Sequence, residues 1–490
     1  MLPRLIGNSG RVSEHAVDTG DQVDVDGYTP DPHRWRILGV SMVVGFMSLL
    51  DVSIVNVALP SMQKGLHTEA GTIQWVVSGY ALAFGLTLVA GGRLGDAFGR
   101  RRMMLIGLVA FVATSAAVGF APSATAVVVA RLAQGASAGL LTPQNSGLIQ
   151  QLFRGNERGR AFGVFGLTVS VSSATGPVLG GLILALAGQE NGWRYLFLIN
   201  VPIGLVALFF VARMVPGRRA DAGDARIDLV GAVLIGALVI TVLYPVVSVE
   251  SDRYAALFLL GLAPLLGWAF VRWERRTVAA GRPPLLDVSL LRRVRGYAGG
   301  LLIGTLYFTG FTGMLLVISY YAQTSLGFGP LRAGLLIAPF AVGSAVSAPF
   351  AGRVVGQVGR VLTVMALSVM LVGVALVAGV LPGREGTGLW AVAVPILFFT
   401  GLGGGAVVSP NLTLTLADVP PRMGGAAGGA IQTGQRLGSS IGAALLMTVY
   451  SVVSGHGSSG QALRLAFGVA FVVLAAATAM AIRDWRGSRR

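Results

Sequence analysis

One acidic residue and one arginine lie deep inside long apolar stretches of this sequence. Asp51 is the only carboxylate well inside any such stretch, and placing an acid there costs about 2.5–3.5 kcal/mol on membrane-insertion scales. It lies nine residues before Pro60, which puts it about 13 Å from that end of a helix. Arg131 lies eight residues after Ser123, about 12 Å deep. Because the two segments run in opposite directions, the depths match, and we predict that Asp51 and Arg131 form a pair.

Such a pair has two interpretations at the level of sequence. It can be a structural ion pair that fixes two helices against each other. Alternatively, Asp51 binds and releases a proton, because its proton affinity changes when Arg131 moves away or when water enters. Proton-coupled exchange requires a carboxylate whose proton affinity depends on which side of the membrane is open. Asp51 and Arg131 are therefore the candidate proton-coupling residues.

Other kinds of chemistry find little support in the composition. The 490 residues include no cysteine and only four histidines, so thiolate metal sites are excluded and no metal centre is predicted. A membrane-embedded enzyme, the alternative from another functional class, would need acids, histidines or a Ser/Lys dyad at a shared depth, and none is visible. The net charge of +16 does not indicate nucleic acid, since the arginines lie mostly in alternate loops. We predict no enzyme activity, no cofactor and no nucleic-acid partner.

The elements that must position these residues are apolar helices. Hydrophobic residues make up 54% of the chain and charged residues 12%, and the mean hydropathy is +0.73. Counting apolar runs of about 20 residues predicts an all-α membrane protein with fourteen transmembrane helices. Their approximate bounds are 36–59, 72–91, 103–121, 124–149, 161–187, 195–214, 229–249, 254–271, 297–320, 331–351, 361–381, 389–408, 425–450 and 462–482.

The arginines are distributed unequally between the loops on the two sides of these segments. One set of alternate loops carries most of them, and the opposite loops carry about one basic residue each. Since short cytoplasmic loops collect positive charge, we predict a plasma-membrane protein with both termini in the cytoplasm. The predicted domains are a disordered tail (1–35), a six-helix bundle (36–214), a linker with two extra helices (215–296), a second six-helix bundle (297–482) and a cytoplasmic tail (483–490).

A charged hairpin, VAGGRLGDAFGRRRMM, joins the second and third segments. Orientation alone explains its arginines but not Asp96 or the glycines that permit a sharp turn. We expect Asp96 to contact the first amides of the thirteenth segment, at the positive end of that helix. We expect Arg100 to Arg102 to hold the loop at the membrane surface. The candidate gate residues are Gly92, Arg93, Asp96, Gly99, Arg100 and Arg101.

The spacing of this hairpin recurs 260 residues later. Gly352-Arg353 and Gly359-Arg360 repeat its glycine–arginine pairs, with Gly356 in place of the aspartate. Two duplicated bundles of six helices would leave room for one inserted helix pair, at 229–271. Bundles that face each other across a midplane cavity are the architecture of a secondary transporter.

Several motifs resemble the fourteen-helix drug:proton antiporter family of the major facilitator superfamily. GRLGDAFGRRR is similar to the superfamily's motif between helices 2 and 3, VVARLAQGASAGLLTPQ to its fourth-helix motif with Arg131, and SSATGPVLGG to its fifth-helix antiporter motif. LLDVSIVNVALP, WRYLFLINVPIG and QTGQRLGSSIG also resemble that family. The resemblance extends from about residue 36 to 482. It implies the major facilitator fold and alternating access by rocking of the two bundles.

The fifth-helix motif comprises Gly176, Pro177, Gly180 and Gly181. The proline can be a tolerated kink and the glycines can serve close packing alone. The resemblance implies more, namely a pliable contact with the inserted-pair side of the bundle that seals one face against proton leak. It also implies an antiporter rather than a symporter.

Five polar residues are candidates for lining a substrate cavity: Asn56, Gln134, Gln144, Gln432 and Arg436. Arg436 falls near the middle of the thirteenth segment, where an arginine is rare. If that helix begins a turn or more away from the predicted start, Arg436 would instead extend to the cytoplasmic surface. The segment holds no acid, so a buried dication would keep one charge unpaired. We therefore expect neutral, anionic or singly charged substrates rather than dications.

Together these patterns predict a proton-coupled exporter of small organic compounds, and the family resemblance implies drugs or antibiotics. The proton gradient would supply the energy without a cofactor. The predicted partners are a small-molecule substrate, protons and membrane lipid, and the predicted oligomeric state is a monomer. An uptake symporter is the alternative within transport, and the Gly-Pro motif of the fifth helix argues against it.

Overall fold

The computed structural model describes residues 29–68, 70–188, 190–217, 228–249, 254–384 and 386–488. Most of the predicted tail at 1–35 lies outside these residues. Within them the chain forms helices and no strand, as predicted. Thirteen of their helical spans are long and apolar enough to cross a membrane, and the shorter apolar helix at Leu229–Pro245 supplies the fourteenth predicted segment.

The first bundle contains five long helices and two shorter ones that follow each other as a single span. Apolar segments fold this way in lipid because a helix satisfies its own backbone N–H and C=O groups. The bounds are α1 Arg34–Gly65, α2 Ala70–Phe98, α3 Arg100–Gly119, α4 Ala124–Leu152, α5 Gly155–Ala187, α6 Gly192–Leu198 and α7 Asn200–Met214.

The sixth predicted segment is interrupted at Ile199, between α6 and α7. Pro202 explains the break, because it has no N–H to donate to the carbonyl of Leu198 four residues earlier. The interruption places Asn200 at the first turn of α7. This irregular point lies beside the functional site described below.

The inserted pair lies against the outside of the bundles. It consists of α8 Leu229–Val249 and a 3₁₀ helix, Tyr254–Leu262, that continues into α9 Ala263–Ala279; the short α10 Leu290–Arg293 follows. α8 packs on α2 and on the second bundle. A Cβ atom on Gly85 of α2 would lie 3.0 Å from the side chain of Leu243, so the two helices are in direct contact.

The second bundle contains six long helices. Their bounds are α11 Tyr297–Thr324, α12 Pro330–Val358, α13 Val361–Val380, α14 Gly386–Thr415, α15 Gly424–His456 and α16 Ser459–Ser488. The last helix extends through most of the region predicted as a tail at 483–490. Its end is held by an ion pair between Asp484 and Arg360, which lies just before α13.

In both duplicated hairpins the glycine between the two helices has a positive φ. Gly99 separates α2 from α3 with φ +95°, and Gly359 lies between α12 and α13 with φ +65°. These values favour glycine, because a Cβ atom would clash there. The recurring glycine therefore has a structural reason in both halves. The side of the molecule that carries Arg100, Arg101 and Arg102 is called the basic side below.

On the basic side the two bundles meet through glycine backbones. A Cβ atom on Gly92 of α2 would lie 2.2 Å from the carbonyl oxygen of Gly425 on α15. A Cβ atom on Gly352 of α12 would lie 2.5 Å from the carbonyl oxygen of Gly159 on α5. Small residues permit such close approach of membrane helices. The bundles therefore contact each other through two equivalent pairs, α2 with α15 and α5 with α12.

Candidate functional site

Asp51 and Arg131 form a buried ion pair between α1 and α4. Arg131 Nη1 lies 2.5 Å from Asp51 Oδ2, and the two side chains are 1% and 0% exposed. Arg131 Nε donates to the backbone carbonyl of Val76 on α2 at 3.0 Å. The structure thus brings together the two residues whose matching depths predicted a pair, and the arginine also attaches them to a third helix.

Amide side chains from two helices complete the surroundings of Asp51. Gln134 of α4 and Asn200 of α7 donate to Asp51 Oδ1 at 3.0 and 3.1 Å. Both amides also donate to the hydroxyl of Ser115 on α3, at 3.1 and 3.0 Å. Arg131 Nη1 donates to the amide oxygen of Gln134 at 2.9 Å. The site is organised around a carboxylate that accepts at both oxygens, and charge-assisted bonds of this kind are the strong ones.

Aromatic rings cover the other face of Arg131. Its Cζ lies 4.0 Å from the ring centre of Tyr80 on α2 and 5.4 Å from that of Phe197 on α6. Tyr80 Oη donates to the carbonyl of Ser48 on α1 at 3.4 Å. Cation–π contacts add to the attraction when the cation is desolvated. A change in the charge of Asp51 would therefore alter the contacts that the pair makes with the helices around it.

Asp96 joins the two bundles on the basic side. Its Oδ1 accepts from the amide of Gly425 at 3.1 Å and its Oδ2 from that of Ala426 at 2.9 Å. Both amides belong to the first turn of α15, as expected for a carboxylate at the positive end of a helix. Arg100 Nη2 donates to Asp96 at 2.7 Å and to the carbonyl of Pro421 at 3.2 Å. We call this group the Asp96 latch.

The expectation that all three hairpin arginines hold the loop at the membrane surface is wrong for Arg100. This side chain is buried, and a Cβ atom on Gly147 of α4 would collide with its guanidinium. The neighbouring carboxylate of Asp96 compensates its charge, which permits burial. Arg101 donates to the carbonyl of Ala212 at the end of α7, and Arg93 lies close enough to Asp96 for an electrostatic interaction.

Further polar contacts close the basic side around the latch. Gln150 Nε2 of α4 donates to the carbonyl of Leu416 at 2.7 Å. Arg158 Nη1 of α5 donates to the carbonyl of Ala417 at 3.0 Å. Both acceptors follow α14 in the second bundle. The conformation is therefore one in which the two bundles are joined on the basic side.

In the second hairpin, the structure explains why Gly356 replaces the aspartate. A Cβ atom on Gly356 would lie 1.9 Å from Oδ1 of Asn156, near the start of α5. An aspartate side chain at this position would collide with that amide oxygen, so it could not form the contacts that Asp96 makes in the latch. Glycine packing thus closes the α5–α12 contact, whereas the α2–α15 contact combines glycine packing with the charge of Asp96.

The antiporter motif of α5 does not face the inserted pair. A Cβ atom on Gly176 would lie 2.0 Å from Oγ of Ser53 on α1, and Ser53 Oγ donates to the carbonyl of Ser172 at 3.0 Å. Gly180 is buried, and Gly181 has open space beside it. The side chain of Pro177 lies outside the described residues. The implied contact with the inserted-pair side of the bundle is wrong, because α5 packs on α1 and α12, whereas α8 of the inserted pair packs on α2 and α15.

Two of the five predicted cavity residues are packed inside the first bundle. Gln134 and Gln144 are both 0% exposed. Gln134 binds Asp51, and Gln144 Nε2 donates to the carbonyl of Gly91 on α2 at 2.8 Å. The prediction that they line a cavity is wrong in this conformation, since each amide bonds a group on a neighbouring helix instead of facing water.

The remaining cavity candidates lie elsewhere. Gln432 Nε2 of α15 lies 3.4 Å from Oγ of Ser146 on α4, so it belongs to the contact between the bundles. The side chain of Asn56 lies outside the described residues. Arg436 is partly exposed, and its Cζ lies 4.5 Å from the ring centre of Phe84 on α2. Because α15 begins at Gly424, one residue from the predicted start, the alternative in which Arg436 reaches the basic surface is not supported.

The comparison with protein families agrees with the motifs. The profile of the Major Facilitator Superfamily matches residues 41–443. The chain belongs to the major facilitator superfamily. It is therefore a membrane transporter and not an enzyme, as the sequence predicted.

The relatives within the superfamily include antibiotic transporters. The chain is 36% identical over 431 residues to a probable actinorhodin transporter of Streptomyces coelicolor, covering 86% of this chain and 74% of that protein. It is 34% identical over 480 residues to a puromycin resistance protein of Streptomyces alboniger, covering 93% of each. These similarities confirm the predicted relationship to antibiotic and drug transporters.

The fold of the superfamily is confirmed by a solved structure. The structure of the proton:xylose symporter XylE, bound to 6-bromo-6-deoxy-D-glucose, superposes with a TM-score of 0.65. The match covers 93% of this chain and 95% of that one at 16% sequence identity. At this identity the likeness shows the fold alone.

Three residues of the polar site around Asp51 and Arg131 were not identified from the sequence. Asn200, Ser115 and Tyr80 each contact Asp51 or Arg131, or join the groups that do. Asn200 carried a signal, since it is the one amide side chain in WRYLFLINVPIG. Sequence also missed Glu274, a fully buried carboxyl near Asp228 at the basic end of α9, because it lies beyond the predicted segment.

Proposed function

We propose that this transporter is a proton-coupled antiporter that exports small organic compounds, including antibiotics, across the plasma membrane. The printed names of its relatives, an actinorhodin transporter and a puromycin resistance protein, support antibiotics as the substrate class. The proton gradient supplies the energy, and no bound cofactor takes part. We propose further that the protein acts as a monomer with both termini in the cytoplasm, so that the basic side is the cytoplasmic side.

One observation carries the proposal of proton coupling. Asp51 is fully buried, and its oxygens accept from Arg131, Gln134 and Asn200, which belong to two other helices. A proton on Asp51 removes the charge that attracts these donors and so weakens the contacts of α1 with α4 and α7. Proton binding would thereby favour one arrangement of the first bundle over another.

The Asp96 latch supplies the second half of the mechanism. With the basic side joined, the substrate site opens to the opposite side, where substrate leaves and a proton binds Asp51 once water enters or Arg131 moves away. Breaking the latch lets the bundles separate on the basic side, so that the proton leaves and a new substrate enters. Each ligand shifts the equilibrium by the difference between its affinities for the two states.

Transport by reconstituted protein tests the coupling. We expect Asp51→Asn to abolish accumulation driven by a pH gradient, because the amide keeps the shape of the carboxyl but cannot take up a proton. Puromycin and actinorhodin are the first compounds to test, in proteoliposomes with an imposed gradient. Resistance of an efflux-deficient host across a wider panel identifies further substrates.

The matched control is Glu157→Gln. This substitution removes a carboxylate that pairs with Arg34 at the protein surface, at 2.9 Å, and transport should continue. Full gradient-driven transport by the Asp51→Asn protein would contradict the assignment of Asp51. Movement of substrate in the same direction as protons would indicate the uptake symporter instead.

A further inference from the structure

A positive charge without a matching carboxylate lies between the two bundles. Arg436 is twelve residues after Gly424, the first residue of α15, or about 18 Å along the helix axis. Its guanidinium extends across the interface to the ring of Phe84 on α2, 4.5 Å away. Tyr80, one helical turn earlier, is close enough to interact with it electrostatically. The charge thus lies in the interior, at the surface where the bundles separate.

No described carboxylate forms an ion pair with Arg436. Asp51, the acid in this part of the membrane, is already occupied by Arg131 and by two amides. Asp96 and Glu157 are bound to arginines on the basic side. An arginine at this depth is costly unless a counter-charge reaches it. The ring of Phe84 offers only a cation–π contact, which is weaker than an ion pair with a desolvated anion.

The surroundings of Arg436 suit an aromatic molecule. The ring of Phe84 lies on one side of the Arg436 guanidinium, and Tyr80, whose own ring covers Arg131, lies nearby. The side chain of Arg436 is partly exposed, unlike that of Arg131, which is 1% exposed. Thr312 and Ser439, which hydrogen-bond each other at 3.0 Å, add neutral polar groups on α11 and the next turn of α15.

We propose that Arg436 binds the anionic group of the substrate, so that the transported compounds include aromatic molecules with a single carboxylate or phenolate. This inference rests on the proposed function and names the substrate class of the proposed exporter. An anion that replaces the ring of Phe84 as the partner of Arg436 also alters a contact between α15 and α2. Substrate binding thereby acts on the interface between the bundles, and the opening and closing of this interface transports the substrate.

Binding to the purified protein tests this inference without any proton gradient. The probes are 9-anthracenecarboxylate and its neutral analogue 9-anthracenecarboxamide, two fluorescent molecules of nearly equal size. We expect the carboxylate to bind more tightly than the amide. Arg436→Gln should lower the affinity for the carboxylate by about tenfold or more, which is the usual contribution of a hydrogen bond to a charged group. The affinity for the neutral amide should change little. Arg436→Lys should retain part of the preference, since it keeps the charge but loses the planar donor pair.

Arg332→Gln is the control for charge alone. It removes one exposed arginine from the side opposite the basic side and should leave both affinities unchanged. Equal binding of the two probes by the unaltered protein, no binding of the carboxylate, or an undiminished affinity in Arg436→Gln would each overturn the proposal. Retained binding of the amide shows that the variant is folded. Since the assay needs no proton, a failure here is distinct from a failure of coupling at Asp51.

Discussion

Asp51 has more partners than an ion pair needs. Arg131 supplies the opposite charge, while Gln134 and Asn200 hold the remaining oxygen. A pair removed from water is stable only when such additional hydrogen bonds compensate for the lost solvation. The loss of one partner therefore leaves an uncompensated charge, and this distinguishes the pair from ion pairs on the surface.

We expect Arg131→Leu to lower the free energy of unfolding by about 3–5 kcal/mol, because it leaves Asp51 charged and buried. The double substitution Asp51→Leu with Arg131→Leu should recover most of that loss. Thermal unfolding in detergent, followed by tryptophan fluorescence, measures both.

Arg34→Leu provides the comparison for this prediction. Its partner Glu157 is 36% exposed, and surface pairs contribute little to stability. A loss for Arg131→Leu as small as that for Arg34→Leu would show that the buried charge finds another partner. Failure of the double substitution to recover stability would show that packing, and not charge, determines the effect.

Sequence could predict the pair but not its neighbours. Depth along a helix is readable from residue counts, so Asp51 and Arg131 could be matched before their contact was known. Which helix faces which is set by packing in three dimensions, and this decides that Asn200 and Ser115 reach the same carboxylate. The same limit explains Gln144, whose polarity suggested a cavity although its amide bonds a neighbouring helix.

Among the elements, the short turn between α2 and α3 carries the Asp96 latch. The carboxylate binds two amides at the start of α15 and is itself held by Arg100. The amides belong to the first turn of a helix, so they have no partner within it. The latch therefore stabilises the conformation in which the basic side is joined.

Asp96→Asn should shift the protein toward the conformation that is open on the basic side. Charge-assisted bonds to backbone amides are worth about 1.5–3 kcal/mol, so the open population should rise by roughly tenfold. The native chain has no cysteine, so a thiol introduced by Ser146→Cys reports on the change. Ser146 is buried against Gly428 of α15 and should react faster with maleimide in the Asp96→Asn background.

Ser451→Cys is the matched control. Ser451 is exposed toward the other end of α15, and its labelling rate should not depend on Asp96. An unchanged rate at Ser146→Cys would rule out a latch at this position. An equal increase at both positions would indicate general loosening of the protein.

The hairpin shows both what a motif predicts and what it omits. The spacing of charges and glycines predicted the contact of Asp96 with the start of α15, because helix ends have a known polarity. It did not predict burial of Arg100, since arginines in a short loop normally face water or lipid headgroups. Burial follows from the approach of α15, an element more than 300 residues away in the chain.

At the scale of the whole molecule, the ionisable site and the joint between the bundles are separate. Asp51 and its donors all belong to the first bundle, whereas the latch spans both. The inserted pair packs on α2 and α15, next to the joint rather than next to Asp51. The helices and their order were predictable from hydropathy and repeat spacing. The position of the inserted pair was not, because an apolar helix face packs equally well against lipid and against another helix.

The distribution of arginine predicts one orientation of this whole assembly. Alkaline phosphatase fused after Lys64 should be active in a bacterial host, and green fluorescent protein fused to the C-terminus should fluoresce, because positive loops are retained in the cytoplasm.

A phosphatase fused after Arg154, on the basic side, is the control and should be inactive. Active phosphatase after Arg154 together with an inactive fusion after Lys64 would invert the assignment of the two sides.

The glycine contacts between the bundles lower the conformational entropy that is lost when the bundles close. Ordering a long side chain such as lysine or arginine costs up to about 1.5–2 kcal/mol of rotamer entropy, whereas glycine loses none. Gly92 meets Gly425, and Gly159 meets Gly352, backbone against backbone. These contacts form and break without any side chain having to find its rotamer. At these points the two bundles can separate and rejoin without repacking of side chains, so the cost of ordering side chains on closure falls on the Asp96 latch and the polar contacts beside it.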